Sequence, residues 1–461
     1  MKFIGRVDEM RRLARFLDNQ EGGMVCIYGR RRIGKTRLIE EALRGRKNVI
    51  IHVADKSESA LQRARMAKDI SAVLSGFADV QYTDWGSMLD RWLKDSPSLS
   101  VLVIDELPYI VQNAPEFPSI IQRIVDKLRS SGQKLIICGS SQRMMQGLVM
   151  SDSEPLYGRT REIIKLEPIP FCLTKEAFED IDVWGRFQAY SVWGGVPRYW
   201  QLNEGEELWD ALRDNVFSPM GLLHDEPTFI LQDDLKDSVQ AISLLSLIGQ
   251  GVCRPAEMAG RLQTPVTGLV RPLTRLIKLG LVRKEIPFGA DENSNKRTYY
   301  RLEDPFLRFW YTFVLPNYSD AYFMSEPSER ETINPAFNVF LGEAWENLVR
   351  NELRRKPIEG ISGRWKKVGR WWGSGLDRRA MELDVVAESI EGSTLLVGEA
   401  KLTLTKEEIK REKASLKAKV QLLPFAKDYE RVVMRLFVAK GSGKDVVNLD
   451  WAAAALPRNE R

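Results

Sequence analysis

Histidine and cysteine are scarce in this 461-residue sequence, and long apolar runs are absent from it. The two histidines, His52 and His224, argue against a histidine-based catalytic triad and against a multi-histidine metal site. The four cysteines are widely spaced, and Cys26 and Cys138 lie within apolar, strand-like runs. This pattern is typical of buried thiols in a reducing cytoplasm rather than of a disulfide framework or a zinc site.

No segment approaches the roughly 18 consecutive apolar residues that a membrane-spanning helix needs. The N-terminal residues include acids and lack an apolar core, unlike a secretion signal. Internal repeats and low-complexity tracts are also absent from the sequence. We therefore expect a cytoplasmic protein that has no membrane partner.

The composition indicates a globular chain of about three domains, because 44% of its residues are hydrophobic. The net charge of +5 permits nucleic-acid binding without requiring it. Up to about residue 165, apolar strand-like runs alternate with amphipathic helical stretches, which predicts a parallel α/β sheet. The expected strands are Met24–Tyr28, Val49–Val53, Val101–Asp105, Leu135–Gly139 and Glu162–Leu166.

Residues 29–36 read Gly-Arg-Arg-Arg-Ile-Gly-Lys-Thr and fit the phosphate-loop pattern G-x-x-x-x-G-K-[ST]. They lie between a predicted strand and a predicted helix, Thr36–Leu43, as the motif requires. Backbone N–H groups and the helix N-terminus would surround the phosphates, Lys35 would reach the β- and γ-phosphates, and Thr36 would bind Mg²⁺. The other residues expected to contact ATP here are Gly29, Arg30, Arg31, Arg32, Ile33, Gly34 and Arg37.

A second motif follows the apolar run 101–104, which ends in Asp105 and Glu106. In this order after a phosphate loop, Asp105 would hold Mg²⁺ through water and Glu106 would polarise the attacking water. Adjacent acids found in isolation are commonly a helix cap or a solvated pair. The next predicted strand ends in Ser140, which either senses the γ-phosphate or forms a turn with Ser141.

These motifs occur in the order seen in archaeal-type P-loop ATPases of the AAA+/STAND division, which the first 200 or so residues resemble. The matching segments are Phe3-Ile-Gly5-Arg6, the phosphate loop, Ile104–Pro108, Cys138–Ser141 and Leu156–Arg159. The resemblance implies that Gly5 and Arg6 lie near the adenine, and that Pro197 belongs to a helical lid. It also implies that Arg159 or Arg161 faces the γ-phosphate, in cis or on a neighbouring subunit. The alternative for each arginine is a surface ion pair of little consequence.

Residues 236–303 read as three helices and a hairpin, and they resemble a winged helix. Pro265–Leu279 would be the recognition helix and Asn293–Arg297 the wing tip. Pro272 is expected to kink that helix. The residues expected to face the core are Val266, Leu269, Leu273, Leu276 and Ile277, and those expected to face outward are Thr267, Arg271, Thr274, Arg275 and Lys278. A DNA-binding role and a protein-packing role both remain open.

Acidic residues and a lysine recur at strand-like positions near the C-terminal end. Asp384 lies on one predicted strand, and Glu399-Ala-Lys401 lies on the next. The two-residue period of a strand places Glu399 and Lys401 on the same face. Asp384, Glu399 and the carbonyl of Ala400 would bind a divalent cation. Lys401 would orient water or stabilise charge on a scissile phosphate.

These positions resemble the PD-(D/E)XK restriction-endonuclease-like core, with Leu383 replacing the proline of the motif. The segments 343–346 and 369–373 resemble a C-terminal domain of unknown function that follows archaeal-type ATPases. Glu346 matches the acid that these nucleases carry on their first helix, which implies the metal set Glu346, Asp384 and Glu399. Family members keep this fold with or without cleavage, so both outcomes stay open.

Basic and aromatic residues are interleaved between residues 364 and 379. The basic residues are Arg364, Lys366, Lys367, Arg370, Arg378 and Arg379, and the aromatic ones are Trp365, Trp371 and Trp372. This mixture suits a phosphate backbone with stacked or splayed bases. The alternative is a charged, solvated face.

Together these patterns predict an α/β fold class with four segments. These are a P-loop ATPase core at 1–168, a helical lid at 169–234, a winged-helix-like unit with a connecting helix at 235–334 and a nuclease-like α/β domain at 335–461. We expect ATP and Mg²⁺ at the first site, and Mg²⁺ or Mn²⁺ at the last.

Two functional hypotheses follow. The first is an ATPase that couples nucleotide turnover to DNA binding or to metal-dependent DNA cleavage. The second is a nucleotide-switched regulatory or scaffold protein whose C-terminal domain binds DNA or a protein partner without cleavage. Either is compatible with a homo-oligomer.

Overall fold

A wholly parallel sheet organises the N-terminal part of the computed structural model, as the alternation of strands and helices predicts. Its strands are β1 (Gly23–Tyr28), β2 (Val49–Val53), β3 (Val101–Asp105), β4 (Lys134–Gly139) and β5 (Thr160–Lys165). They lie in the order β2-β3-β4-β1-β5. The structure describes residues 2–234, 239–291, 297–318, 327–359, 361 and 363–454, with side chains omitted at 232–234 and 327–332.

Helices cover both faces of this sheet. They are α1 (Val7–Asp18), α2 (Lys35–Leu43), α3 (Ser59–Ser71), α4 (Trp85–Asp95), α5 (Leu107–Asn113), α6 (Phe117–Ser131) and α7 (Gln142–Met150). Alternate residues of β1 point into different cores. Val25 and Ile27 belong to one apolar cluster, whereas Met24 and Cys26 belong to the other. Both faces are buried, so the strands read as continuous apolar runs.

Short helices of the lid follow β5. They are α8 (Thr174–Ala177), α9 (Val183–Trp193), α10 (Pro197–Gln201), α11 (Leu208–Leu212) and α12 (Glu226–Asp234). Gly195, between α9 and α10, lies against the backbone of Ile169, where an added Cβ would come within 2.0 Å of the carbonyl oxygen. Glycine at this position therefore permits the lid to pack closely on the segment that leaves the sheet.

The middle segment contains three helices and a hairpin in the predicted order. The elements are α13 (Val239–Gly249), α14 (Pro255–Arg261), α15 (Val270–Lys278), β6 (Val282–Glu285), β7 (Tyr299–Leu302) and then α16 (Pro305–Phe309). Strands β6 and β7 are antiparallel. The predicted wing tip falls largely outside the described residues, because 292–296 are not among them.

The predicted helix Pro265–Leu279 is shorter than expected, and Pro272 does not lie in its middle. A 3₁₀ turn, Val266–Leu269, precedes α15, so Pro272 lies in the first turn of the helix. A first-turn residue has no intrahelical acceptor for its N–H, so proline loses nothing there. Leu269, Leu273 and Leu276 are buried as predicted, but Val266 is exposed.

The C-terminal sheet is mixed. Its elements are α17 (Pro327–Leu353), β8 (Trp365–Ser374), β9 (Ala380–Ser389), β10 (Thr394–Thr403), α18 (Lys406–Leu422), β11 (Arg431–Lys440), β12 (Val446–Val447) and α19 (Leu449–Ala453). Strands β8, β9 and β10 form an antiparallel meander, and β11 lies parallel to β10. The segment boundary predicted at residues 334 and 335 falls inside α17, which carries Pro335 within it.

One apolar cluster links the segments. It includes Ile27 of β1, Trp200 of the lid, Leu273 of α15 and Val385 of β9. Phe187 of the lid meets Trp345 of α17 edge to face, with ring centroids 6.0 Å apart. None of the helices in the described ranges is long and apolar enough to cross a membrane.

Candidate active sites

The phosphate loop connects β1 to α2 as predicted, and its backbone requires glycine at two positions. Gly34 has a φ of 93°, a left-handed conformation that glycine adopts without strain. A Cβ at Gly29 would lie 2.8 Å from the carbonyl oxygen of Leu166. Arg32 also has a positive φ, of 66°, which is unusual for a residue with a side chain.

Lys35 lies buried beneath the loop. Its Nζ donates hydrogen bonds to the carbonyl oxygens of Gly29 (3.1 Å) and Arg30 (3.2 Å) and to Ser140 Oγ (2.8 Å). Ser140 follows β4, which lies between β1 and β3 in the sheet. The sheet order therefore places the serine between the two sequence motifs.

The acidic motif meets the loop at the carboxyl edge of the sheet. Thr36 Oγ1 donates to Asp105 Oδ2 at 2.7 Å. Glu106 has a φ of 54°, and its carboxylate accepts hydrogen bonds from the backbone N–H (3.0 Å) and the hydroxyl of Ser140. Lys35, Thr36, Asp105, Glu106 and Ser140 thus form one continuous hydrogen-bonded cluster.

A cavity of about 670 Å³ opens beside this cluster, which is ample for a nucleotide. The predicted nucleotide-binding residues that line it are Arg6, Arg31, Arg32, Ile33, Gly34, Lys35, Thr36, Arg37, Glu106, Ser140 and Pro197. Arg198, which the sequence analysis did not single out, also lines the cavity from the lid. Its position directly after Pro197 is the signal that identifies it.

Four predicted contact residues do not line the cavity. Asp105 is buried behind Thr36, and Gly29 is packed against Leu166. Gly5 has a φ of 64° and supports the turn that leads into Arg6. Arg30 points away from the cavity toward Asp304.

Arg6 is hydrogen-bonded to the phosphate loop. Its guanidinium donates to the carbonyl oxygens of Ile33 (3.1 Å) and Glu167 (2.7 Å). It also forms an ion pair with Glu9, which lies one turn further along α1.

The prediction that Arg159 or Arg161 reaches the γ-phosphate in cis is wrong. Arg159 Nε pairs with Asp126 Oδ1 at 3.1 Å, and Arg161 pairs with Glu21. β5 runs parallel to β1, and Thr160 is level with Met24 at the start of β1. The phosphate loop follows the other end of β1, on the order of 13 Å away at 3.3 Å per residue.

The C-terminal acids converge as the sequence predicts. Asp384 on β9 and Glu399 on β10 lie side by side, because Val385 pairs with Gly398 in the antiparallel register. Asp384 Oδ2 accepts hydrogen bonds from the backbone N–H of Ala400 (3.0 Å) and from Lys401 Nζ (3.2 Å). Lys401 Nζ also lies 3.4 Å from Glu399 Oε2. Lys419 Nζ of α18 donates to Glu399 Oε1 at 2.6 Å, a contact that the sequence analysis missed.

Burial and mutual repulsion change the titration of these acids. Burial, together with the charge of Asp384, raises the pKa of Glu399 to about 7. The same two causes raise the pKa of Glu346. Burial acts to raise the pKa of Asp384, but the hydrogen bond with Glu399 and the charge of Lys401 outweigh it and lower that pKa. The pair therefore favours holding one shared proton in the absence of a cation.

The predicted three-acid metal set is not assembled. Across the ranges that the structure describes, no three histidine, cysteine, aspartate or glutamate side chains converge as a metal site. Glu346 instead accepts a hydrogen bond from Arg350 Nη1 at 3.4 Å. The Asp384–Glu399 pair offers the hard oxygen donors that Mg²⁺ and Mn²⁺ prefer, with two carboxylates instead of three.

The basic, tryptophan-rich segment forms strand β8, and its tryptophans are not available to stack on bases. Trp365, Trp371 and Trp372 are all buried. Trp372 stacks on Tyr299 of the hairpin, with ring centroids 4.9 Å apart. Arg370 pairs with Glu285 of β6 and with Glu382 of β9. The prediction of a base-stacking surface is therefore wrong, because all three tryptophan rings are buried within the protein.

Two family models match the chain. Residues 3–201 match an ATPase domain found predominantly in Archaea, and residues 310–412 match archaeal and bacterial proteins of unknown function. An uncharacterized protein of Methanocaldococcus jannaschii is 28% identical over 396 residues, which is 84% of each chain.

A solved structure shares the fold at low identity. A Walker-type ATPase of Pyrococcus abyssi superposes with a TM-score of 0.51 at 17% identity, covering 67% of this chain and 96% of its own. The ORC2 protein of Aeropyrum pernix, in its ADPNP and ADP complexes, gives a TM-score of 0.43 at 15% identity. That match covers 70% of this chain and 96% of the other.

Proposed function

From the premise that residues 3–201 are an archaeal-type, nucleotide-binding P-loop ATPase domain, we propose that this chain hydrolyses ATP with Mg²⁺. We also propose that it couples ATP turnover to DNA binding. The observation that carries the proposal is the cluster at the edge of the parallel sheet. Ser140 joins Lys35 to Glu106 there by hydrogen bonds, and the backbone N–H of Glu106 donates to Asp105, which accepts from Thr36 beside the cavity.

Each residue of the cluster has a distinct task in this proposal. Thr36 and Asp105 would hold Mg²⁺, which neutralises charge on the phosphates when it is bound. Lys35 would exchange its loop carbonyl partners for phosphate oxygens. Glu106 would exchange Ser140 for the attacking water and orient it. Arg159 or Arg161 would reach a γ-phosphate only in a neighbouring subunit.

Nucleotide binding tests the phosphate loop directly. Lys35→Ala should weaken ATP binding by at least about a hundredfold in calorimetric titration, since it removes a charge-assisted contact to the phosphates. Arg44→Ala, on an exposed side chain after α2, is the matched control and should bind like the wild type. Equal affinity of Lys35→Ala and the wild type would refute the site.

DNA contact is proposed for the exposed face of α15. Arg271, Thr274 and Lys278 recur at helical spacing and are exposed. The hairpin that follows packs on β8 through Phe288, whose N–H donates to the carbonyl oxygen of Arg370 at 2.9 Å. This packing leaves α15 as the surface of the middle segment that is best placed to meet phosphates.

A second candidate function is metal-dependent DNA cleavage by the C-terminal domain. The observation that favours it is the convergence of Asp384, Glu399 and Lys401 on a mixed sheet. Asp384 and Glu399 would hold Mg²⁺ or Mn²⁺, which supplies a Lewis acid for phosphodiester attack. Lys401, held between the two carboxylates, would stabilise charge on the scissile phosphate.

Cleavage of linear duplex and single-stranded DNA in the presence of Mn²⁺ tests this candidate. Asp384→Asn and Lys401→Ala should each abolish cleavage and leave ATP turnover intact. Lys417→Ala, an exposed residue of α18, should cleave normally. If the wild type cuts none of these substrates, the C-terminal domain binds DNA or a protein partner without cleaving, and the regulatory alternative applies.

A further inference from the structure

Two arginines of the phosphate loop are held by carboxylates from beyond the ATPase domain. Arg32 Nε lies 2.7 Å from Glu226 Oε1, at the start of α12. Arg30 forms an ion pair with Asp304, which precedes α16. Both acids lie beyond residue 201, where the match to the ATPase domain ends.

Tyr199 of α10 joins these two ion pairs. Its hydroxyl accepts a hydrogen bond from Arg30 Nη2 (3.0 Å) and donates one to Glu226 Oε1 (2.9 Å). Burial raises the pKa of Tyr199, so its hydroxyl stays protonated and available as a donor. The side chain of Glu226 is fully buried, and a buried carboxylate is retained at little cost only when it is paired and hydrogen-bonded.

Asp304 and Tyr199 are themselves held by α16. Asp304 Oδ1 accepts a hydrogen bond from the N–H of Leu307 at 2.9 Å and thereby caps α16. The ring of Tyr199 packs on Phe306, with centroids 4.9 Å apart. Arg30 is thus tied to side chains that α16 holds in place, and Arg32 is tied to the buried Glu226.

We infer that Tyr199, Glu226 and Asp304 are positioning residues of the nucleotide site, supplied by the lid and by the segment after the hairpin. They hold Arg30 and Arg32 so that the backbone N–H groups of the loop stay preorganised for phosphates. The inference rests on the proposed binding of ATP at this loop. It makes the nucleotide site incomplete without the part of the chain beyond residue 201.

Steady-state kinetics of the full-length chain test this inference. An interaction that is equally strong in the ground state and the transition state changes KM and leaves kcat alone. Tyr199→Phe should raise KM for ATP roughly fivefold, the effect of one lost hydrogen bond, with kcat unchanged. Glu226→Gln and Asp304→Asn should each raise it roughly tenfold or more. Asp225→Asn, next to Glu226 but paired only with Tyr318 in the described residues, is the matched control and should keep the wild-type KM.

The outcomes separate this inference from the proposed function. If the wild type binds no ATP, the proposed function fails. If it binds ATP and Tyr199→Phe leaves KM unchanged, the inference alone fails. Tighter ATP binding by Glu226→Gln would also overturn it, because the carboxylate would then compete with phosphates for Arg32. Tyr199→Phe keeps the aromatic packing, so it gives a decisive answer even if a carboxylate variant does not fold.

Discussion

At the scale of single residues, the nucleotide site lies where Thr36 meets Asp105 at the carboxyl edge of the parallel sheet. Asp105 ends β3 and Glu106 follows it, whereas Lys35 and Thr36 begin the helix after β1. Parallel strands bring their carboxyl ends to one edge of a sheet, so the meeting of these residues could be predicted from sequence. Glu226 and Asp304 carried no such signal. Their meeting with loop arginines depends on the packing of segments nearly 200 or more residues apart, which no local spacing encodes.

Glu285 is a carboxylate whose ionised form stabilises the fold. It lies 2.8 Å from Arg283, 3.3 Å from Arg301 and 3.5 Å from Arg370. Burial acts to raise its pKa, but Arg283, Arg350 and Arg301 outweigh it and lower that pKa to about 2. A lowered folded-state pKa contributes stability above the ordinary value of 4.5, and this stability is lost as the pH falls toward 2.

Glu285→Gln should therefore lower the free energy of unfolding by about 3 kcal/mol at pH 7, because it removes the buried carboxylate that Arg283, Arg301 and Arg370 share. It should also remove the part of the stability loss between pH 4.5 and 2 that protonation of Glu285 causes. Thermal unfolding across this pH range measures both effects, with the exposed Glu257→Gln as control. Parallel loss of stability by the wild type and Glu285→Gln over that range would contradict the assignment.

At the scale of secondary-structure elements, periodicity located most helices and strands but misread two of them. Apolar spacing continues from the 3₁₀ turn at Val266–Leu269 into α15, so spacing alone could not show that Pro272 lies in a first turn. The sequence pattern of strand β8 predicted a positively charged surface that binds nucleic-acid bases. Its tryptophans are buried by tertiary contacts, of Trp372 with Tyr299 of the hairpin and of Trp371 with Phe425.

The proposed contact between the exposed face of α15 and DNA can be tested by the salt dependence of duplex binding. Arg271→Ala combined with Lys278→Ala should weaken duplex binding and reduce the salt slope of log K by about 0.9 per lost phosphate contact. Fluorescence anisotropy over a salt series measures that slope. Lys366→Ala combined with Lys367→Ala, on the outer edge of β8, provides the comparison with an equal change in charge.

The two double variants separate the two surfaces. A reduced slope for the α15 variant alone identifies that helix as the contact. A reduced slope for the β8 variant alone would show that DNA lies along the C-terminal sheet and that the assignment to α15 is wrong.

At the scale of the whole molecule, the ATPase domain and the C-terminal sheet share a packed interface. Trp345 of α17 contacts Phe187 of the lid, and its indole Nε1 donates to the carbonyl oxygen of Phe437 at 2.9 Å. Glu346 is the next residue along the same helix. Sequence motifs predicted both sites but not this contact. The aromatic residues that form the contact cannot be distinguished in the sequence from ordinary core residues.

Metal binding at the C-terminal acids should appear as stability that does not depend on nucleotide. A cation relieves the repulsion between Asp384 and Glu399, so Mn²⁺ at about a hundred times its Kd should raise the unfolding midpoint by about 3 °C or more. Asp384→Asn should abolish the shift, whereas Glu391→Gln on the neighbouring turn should preserve it. Scanning calorimetry with Mn²⁺ and then with a chelator measures this effect. The same shift in Asp384→Asn would place the cation elsewhere.

The measurement that tests the account most directly is the release of inorganic phosphate from ATP by the wild type and by Glu106→Gln, with and without duplex DNA. The account predicts Mg²⁺-dependent turnover by the wild type that DNA accelerates. It also predicts that Glu106→Gln binds ATP with unchanged affinity but releases phosphate at least about a hundredfold more slowly, since the water is no longer oriented by a carboxylate. Phosphate release by Glu106→Gln at the wild-type rate would contradict the account.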